Sequence, residues 1–574
     1  MIRWLFLLLI LLGVQGCSLL SSKTSSTSES NVDGNIKADA TTVSKPFELE
    51  TLYSLLVAEI AGNRQQYNIT LSNYMQQARK TQDVRVIARA AHVAQFLRAH
   101  QPALDMGMLW LTHEPDSVQA NTIVATRLTA MGRLDDALSY AEKVYEEGDS
   151  PLFETIALQS RKSDASTRDS LIEHYHRLSA ERPEAVSIKV GLSTLYMLQN
   201  DPDKALATVK KARRIDPDHV SAVIQHAKIL HVQEKYAAAI NTISDALEKD
   251  PDNHRLRLIY ARLLAKTDAE AAYQEFAHLS NESPGQLDFK FSQALLALEL
   301  KDYQAAQPLL LDLYNNNYKP DDTAYYLGLI AEHQRQFDQA LAYYLKTNKG
   351  ANFLPAQTRA AKIMVDQGEL QATANHFIEL RKSHKDRMAE LYAAEVGVLM
   401  SVQQHQRAID VLDEAVALFP DNIPLRYNRA LLYEKADKIE LTEADLRHIL
   451  TLDADNVLAL NALGYFLASY TERYQEALEM VEKALELRPD DPAIMDSMGW
   501  VMFHLGNYEQ ALDYLRKALA KMPDGEIAAH LGEVLWTMGD TQAAEKVWRQ
   551  GLVRQPNDPR ILKTLERLDV NLTE

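Results

Sequence analysis

The feature that most constrains this chain is a period of about 34 residues in the positions of its alanines. Nine alanines lie one or two such periods apart: Ala137, Ala205, Ala239, Ala306, Ala340, Ala408, Ala477, Ala511 and Ala544. Aromatic residues precede several of them by three positions: Tyr236, Tyr303, Phe337, Tyr474 and Tyr508. Prolines recur with the same spacing: Pro183, Pro217, Pro251, Pro489, Pro523 and Pro556. Because a small residue lets two helices approach closely and a proline cannot continue a helix, the pattern predicts repeated pairs of helices.

This spacing resembles the tetratricopeptide repeat, a helix–turn–helix unit. The resemblance implies an all-α, superhelical solenoid of about 15 helix pairs over residues 46–558, with a capping helix and tail over 559–574. We place the units near residues 52, 84, 118, 152, 186, 220, 254, 287, 321, 354, 389, 423, 457, 492 and 525. A heptad coiled coil is excluded, because Pro-Asp breaks interrupt the chain.

The N-terminus, "MIRWLFLLLILLGVQGC", is typical of a secretory signal. Its apolar run, residues 4–12, is shorter than the ~20 residues that span a membrane. The segment Val14-Gln15-Gly16-Cys17 resembles a bacterial lipobox. That resemblance implies removal of residues 1–16 and attachment of acyl chains to Cys17. Ser18 then implies export to the outer membrane, by the sorting rule for Gram-negative lipoproteins. A plain signal peptide with an incidental cysteine is the alternative.

Residues 17–45 are predicted to form a lipidated, disordered tether. Ser and Thr fill 12 of the 28 positions from 18 to 45, and no aromatic residue occurs there. Such a segment cannot bury enough apolar surface to fold. We therefore expect a lipid-anchored protein of the outer membrane, facing the periplasm, with its folded body held away from the lipid.

The net charge, the single cysteine and the absence of catalytic motifs exclude several classes of function. The net charge of −18 argues against binding to nucleic acid, which needs clustered Lys and Arg. Cys17 is the sole cysteine, so the body has no catalytic thiol. The sequence contains no GxGxxG, GxxxxGK[ST], HExxH or GxSxG motif, and its 17 histidines are scattered. We predict a non-enzymatic protein with no cofactor, metal or small-molecule substrate.

A groove is predicted near the C-terminal end. In tetratricopeptide repeats the first helix lines the concave surface, at positions 2, 5, 9, 12 and 13 when residue 492 is position one. The predicted partner-binding residues are Asn461, Tyr465, Asp496, Trp500, Phe503, His504, Glu533 and Trp536, beside Ala493 and Ala529. Buried aromatic rings dominate the binding energy of many interfaces. The alternative is that Trp500, Phe503 and Trp536 pack as core against neighbouring repeats.

Four segments carry a closer resemblance: "LVAEIAGNRQQYNITLSNYMQQARKTQD", "NALGYFLASYTERYQEAL", "DPAIMDSMGWVMFHLGNYEQAL" and "EIAAHLGEVLW". They are similar to a gammaproteobacterial family of lipidated tetratricopeptide proteins. The family includes the outer-membrane lipoprotein partner of a periplasmic carboxyl-terminal processing protease. The resemblance implies an adaptor that binds the protease and its peptidoglycan-hydrolase substrates and promotes their degradation. An assembly factor for an outer-membrane, pilus or cell-wall synthesis machine is the alternative.

Overall fold

The computed structural model describes residues 46–145 and 149–572. Within those ranges the chain forms 31 α-helices and no strand, which confirms the all-α solenoid prediction. None of these helices is long and apolar enough to cross a membrane. The predicted signal peptide, Cys17 and the tether lie outside the described residues.

The first compact unit ends at Tyr318 and contains eight helix pairs. The helices are α1 (Leu49–Asn63), α2 (Tyr67–Thr81), α3 (Val84–Phe96), α4 (His100–His113), α5 (Val118–Ala130), α6 (Leu134–Val144), α7 (Leu152–Gln159), α8 (Ala165–Glu181), α9 (Val186–Leu198), α10 (Pro202–Ile215), α11 (Val220–Val232), α12 (Tyr236–Lys249), α13 (His254–Thr267), α14 (Ala269–Glu282), α15 (Leu287–Glu299) and α16 (Tyr303–Asn315). A short 3-10 helix, Ser160–Lys162, follows α7.

The second compact unit begins at Lys319 and contains seven pairs and a final single helix. Its helices are α17 (Pro320–His333), α18 (Phe337–Tyr344), α19 (Phe353–Asp366), α20 (Leu370–Ser383), α21 (Met388–Ser401), α22 (His405–Leu418), α23 (Ile423–Lys435), α24 (Ile439–Leu452), α25 (Val457–Tyr470), α26 (Tyr474–Leu487), α27 (Pro492–His504), α28 (Tyr508–Lys521), α29 (Gly525–Thr537), α30 (Thr541–Arg554) and α31 (Pro559–Arg567).

Asparagine caps and prolines mark several of the links between successive helix pairs. The side chains of Asn253, Asn422 and Asn456 each accept a hydrogen bond from the backbone N–H three residues further on, at 3.1, 3.0 and 3.1 Å. Such a cap satisfies an N–H group that has no partner inside the helix. Two positions before the first two of these caps stand Pro251 and Pro420, which stop the preceding helix. At these two links the new pair therefore begins where a proline and a cap occur together.

The periodic alanines lie on the second helix of each pair, and all nine have 0% exposed surface. A glycine on the first helix often lies at the same contact between the two helices of a pair. A Cβ added to Gly464 would lie 3.0 Å from the carbonyl oxygen of Ala477, on the partner helix. The small residues therefore set the close approach of the two helices, as predicted. The periodic aromatics behave differently, because Phe337 and Tyr508 are 44% and 37% exposed and lie at the edge of their pairs.

This packing makes a direct prediction for two helical glycines. Replacing Gly464 by alanine is expected to lower the free energy of unfolding by about 1–3 kcal/mol, because the new methyl group meets backbone. Gly397 is the matched control, since it has open space around the same methyl group. Gly397→Ala is expected to stabilise α21 by up to about 1 kcal/mol. Urea unfolding followed by circular dichroism measures both, and equal effects would contradict this account of the packing.

Candidate functional site

The predicted groove residues lie on three neighbouring first helices of the second unit, α25, α27 and α29. Helix α27 packs against both of the others. Asn461 and Tyr465 belong to α25, and Glu533 and Trp536 to α29. The other four predicted residues belong to α27: Asp496, Trp500, Phe503 and His504. We call the surface formed by positions 2, 5, 9, 12 and 13 of these helices the C-terminal inner face.

Trp500 is at the centre of this face, but it is only 8% exposed. Its ring is stacked between the imidazole of His530, at 4.1 Å between centroids, and the ring of Phe503, at 5.2 Å. The imidazole of His504 meets it edge-on at 4.7 Å. Its indole N–H donates a hydrogen bond to Ser469 Oγ at 3.0 Å. Trp500 is therefore part of the core between repeats in the free chain, and little of its ring is accessible to a partner.

Asp496 and His530 form a buried pair beneath Trp500. The Nδ1 atom of His530 lies 3.0 and 3.1 Å from the two carboxylate oxygens of Asp496, and both side chains are 9% exposed. Burial by itself would lower the pKa of His530, but Asp496, with Glu526 and Glu533, raises it above its ordinary value. The pair is covered, so its geometry supports a role in joining two repeats rather than in acting on a substrate.

Tyr465 shows that this face is concave. Its hydroxyl donates a hydrogen bond to Glu526 Oε1 at 3.0 Å, although the two residues are 61 positions apart and α27 lies between their helices. Burial and the Glu526 carboxylate raise the pKa of Tyr465. Burial raises the pKa of Glu434, on α23, and electrostatic repulsion from the Glu526 carboxylate raises it further. The accessible part of the face is therefore both acidic and aromatic.

The capping helix contributes to the same face. Arg567 of α31 forms an ion pair with the buried carboxylate of Glu533. Trp536 is half-buried, with its ring 5.9 Å from that of the fully buried Trp548. His504 is half-buried and stacks on Tyr474 at 5.2 Å. The end of the array thus closes over residues that would otherwise be open to solvent.

The structure brings five of the predicted residues together around the stacked rings of Trp500 and His530: Tyr465 and Asp496 contact His530, and Phe503 and His504 contact Trp500. Glu533 and Trp536 instead lie toward the capping helix, and the half-buried Asn461 has a side-chain oxygen with no hydrogen-bond partner in the described part of the chain. Partner binding by these residues stays a prediction.

Sequence reasoning missed three residues of this face. Glu526 and Ser469 occupy positions 2 and 13 of their repeats, so the same position count would have selected them. His530 stands at position 6, and no sequence signal marked it. Among the described residues, no group of three or more His, Cys, Asp or Glu could hold a metal ion.

Comparison with known proteins agrees with this architecture. Family models described as tetratricopeptide repeat match residues 224–286, 291–352, 455–524 and 502–568. The TPR repeat-containing protein PA4667 of Pseudomonas aeruginosa is 35% identical over 538 residues, covering 92% of this chain and 90% of that one. The chain belongs to the tetratricopeptide-repeat family.

More distant proteins share parts of this repeat array. Human tetratricopeptide repeat protein 7A is 20% identical over 368 residues, covering 62% of this chain and 39% of its own length. The solved structure of the APC/C hetero-tetramer Cut9-Hcn1 covers 84% of this chain and 96% of that one, at 15% identity and a TM-score of 0.32. The structure of yeast Tom70 covers 91% and 95%, at 13% identity and a TM-score of 0.33. These superpositions are too loose to add to the family assignment.

The buried pair of this tetratricopeptide-repeat protein predicts a pH-dependent stability. Because the pKa of His530 is raised above 6.5, the charged pair stabilises the fold below about pH 6.5 and that contribution is lost as the pH rises through the folded pKa. We expect the stability difference between the wild type and His530→Gln to be larger at pH 6 than at pH 9. Urea unfolding of both proteins at the two pH values measures it. A difference independent of pH would show that His530 is neutral throughout.

Proposed function

We propose that this tetratricopeptide-repeat protein is a non-catalytic scaffold of the outer membrane. It binds a periplasmic carboxyl-terminal processing protease together with peptidoglycan-hydrolase substrates, and so promotes their degradation. Membership of a family of protein-interaction scaffolds supports the general role. The specific partners rest on the closer resemblance of the four sequence segments.

One structural observation carries the scaffold role. Helix α1 displays a stripe of large apolar side chains: Leu49 (84% exposed), Leu52 (52%), Tyr53 (68%), Leu56 (58%) and Ile60 (44%). Residues spaced by three and four lie on one side of a helix, so these side chains form a continuous patch. In the described part of the chain no repeat precedes α1 to cover it. Exposed apolar patches of this kind mark surfaces that bind other proteins.

The two surfaces suit two kinds of occupant. The α1 stripe is apolar and open, whereas the C-terminal inner face is acidic, aromatic and concave. A scaffold that holds a protease and delivers a substrate needs separate surfaces for each. We assign the α1 stripe to the stable partner, because apolar burial provides affinity without demanding a particular charge pattern.

Affinity capture tests this proposal. The lipidated protein, tagged at its C-terminus, is recovered from envelope extract and its partners are identified by mass spectrometry. We expect a carboxyl-terminal processing protease among the main partners. The protease should be lost with Leu52→Asp/Leu56→Asp and retained with the matched pair Leu418→Asp/Leu452→Asp, whose leucines are 52% and 42% exposed elsewhere in the array.

Two results would oppose it. Recovery of an outer-membrane assembly, pilus or wall-synthesis machine without a protease would favour the assembly factor. Equal loss with both leucine pairs would mean that α1 is not the docking surface. Accumulation of a wall hydrolase in cells that lack the protein is the expected consequence of the adaptor role.

The membrane attachment is a proposal of its own. A lipidated cysteine carries several acyl chains, each stabilised in the bilayer by roughly 0.8 kcal/mol per CH₂. Cys17→Ala should therefore move the protein from the membrane fraction to the soluble fraction without changing its far-ultraviolet circular dichroism. A variant that remains in the outer membrane would contradict the assignment of Cys17.

A further inference from the structure

Helix α31 continues the register of the repeat array and carries two arginines at inner positions. Arg560 and Arg567 each stand 34 residues after a carboxylate of α29, Glu526 and Glu533. They therefore occupy positions 2 and 9 of the next unit, as the two carboxylates do in theirs. Residues seven apart lie on one side of a helix, about two turns from each other. The pair of cations on α31 thus matches the pair of carboxylates on α29.

Both arginines contact these carboxylates. The guanidinium of Arg567 forms an ion pair with Glu533, whose side chain is 6% exposed. The guanidinium of Arg560 lies 3.5 Å from Glu526 Oε2, and it donates to the two carboxylate oxygens of Asp524 at 2.9 and 3.3 Å. Each carboxylate that α29 carries at positions 2 and 9 is therefore paired with a cation of α31.

The opposite side of α31 is uncovered. Leu562 stands at position 4 and is 42% exposed, whereas Ala528 and Met495, at position 4 of α29 and α27, are 2% and 8% exposed. Ala528 lies against Gly551 of α30, the second helix of its own pair. Among the described residues no second helix follows α31. This first helix thus lacks the partner that holds α29 in place.

The remaining contacts of α31 are limited. Ile561 is fully buried against Gly551, and Leu565 is 7% exposed. Three partly buried side chains follow the helix: Leu568, Val570 and Leu572. The side chains of the two arginines are 37% and 54% exposed, so water competes for their ion pairs. A helix of nine residues is marginal by itself in water, so α31 can open locally while the repeats before it stay folded.

We propose that α31 is an exchangeable strap, and that an amphipathic helix of a partner protein takes its place. The partner helix carries two Arg or Lys side chains seven residues apart, which pair with the carboxylates of α29 in place of Arg560 and Arg567. Apolar side chains directly after the first cation and two residues before the second fill the sites of Ile561 and Leu565. Both carboxylates are paired before and after the exchange, so no charge is left buried without a partner. This inference does not rest on the protease or the substrates proposed above.

A peptide copy of α31 tests the exchange. The probe is a fluorescent peptide of residues 558–570, and the matched probe has Gln in place of both arginines. Each is titrated with the full mature chain in detergent. We expect weak, saturable binding of the arginine probe, because the tethered α31 competes at a high effective concentration. Salt should weaken this binding, and the Gln probe should not bind.

Loosening the strap should strengthen binding of the probe. In Arg560→Gln/Arg567→Gln the carboxylates of α29 lose their tethered partners, so Kd for the arginine probe should fall by about tenfold or more. Arg488→Gln/Arg516→Gln is the matched control. It removes the same charge from two exposed arginines outside α31 and should change Kd by less than about twofold. Circular dichroism reports whether both variants keep their helices.

Hydrogen exchange shows directly whether α31 leaves when the probe binds. An isotope-labelled wild-type chain distinguishes its own α31 from the peptide. At saturating probe, exchange in α31 should rise by about fivefold or more, while α29 and α30 stay protected because the peptide covers them. This measurement needs no variant, so it decides the question even if Arg560→Gln/Arg567→Gln does not fold.

Four results would overturn the strap. Equal changes of Kd in the two double variants would mean that net charge alone attracts the probe. Equal binding of the two probes would mean that the cations are not recognised. Binding with unchanged exchange in α31 would place the probe on another surface and make α31 a fixed cap. Absence of saturable binding to a folded Arg560→Gln/Arg567→Gln chain would mean that no helix can replace α31.

Discussion

Replacing Arg381 by methionine is expected to lower the free energy of unfolding of the second unit by about 3–5 kcal/mol. Arg381 on α20 forms an ion pair with Glu395 on α21, and their side chains are only 7% and 4% exposed. Its guanidinium also lies 4.1 Å from the ring centroid of Tyr392. Burial raises the pKa of Glu395 even with the arginine present, so an unpaired carboxylate there would be strongly disfavoured.

The double variant Arg381→Met/Glu395→Leu separates the ion pair from packing. Replacing both partners of a buried pair by apolar residues is often neutral, so we expect most of the stability to return. Urea unfolding, with hydrogen exchange in α20 and α21, measures the three proteins. Acid should also reduce the deficit of Arg381→Met, because protonation neutralises the Glu395 carboxyl. An equal loss in the single and double variants would contradict an electrostatic origin.

Replacing Trp500 by alanine is expected to destabilise the C-terminal repeats by about 3–5 kcal/mol. The ring is buried between His530 and Phe503, and its N–H is bonded to Ser469, so truncation leaves a cavity and an unpaired hydroxyl. Phe96→Ala is the matched control, because this aromatic side chain is 71% exposed and should contribute less than about 0.5 kcal/mol. Hydrogen exchange in α25, α27 and α29 locates the loss.

The same variant decides between the two readings of the groove. If Trp500→Ala leaves stability unchanged and weakens capture of the partner, Trp500 is a binding residue that rearranges in the complex. If stability falls as expected, its effect on capture is a consequence of local unfolding. Tyr465 and Phe503 are half-buried and keep accessible surface, so they remain the aromatic residues best able to contact a partner directly.

The periodic residues contained most of the information about the fold. Alanine at one helix contact, proline and a polar cap at each link, and a repeated spacing are local signals, because each acts through residues close in sequence. They predicted the helix pairs, and the resemblance to the tetratricopeptide repeat supplied the inner-face positions. The aromatic residues at the start of second helices were less informative, since a spacing does not tell whether Phe337 or Tyr508 faces the core or the solvent.

The charge partners were decided only by the tertiary structure. Asp496 meets His530 one repeat away, and Tyr465 meets Glu526 two repeats away. Such pairings depend on how far each repeat turns relative to the next, which follows from the packing of whole helices. Sequence by itself therefore determined that this protein is a stack of helix pairs in which the first helices line an inner face. Only the folded stack determined which of those lining residues are covered, which are neutralised and which are left open to a partner.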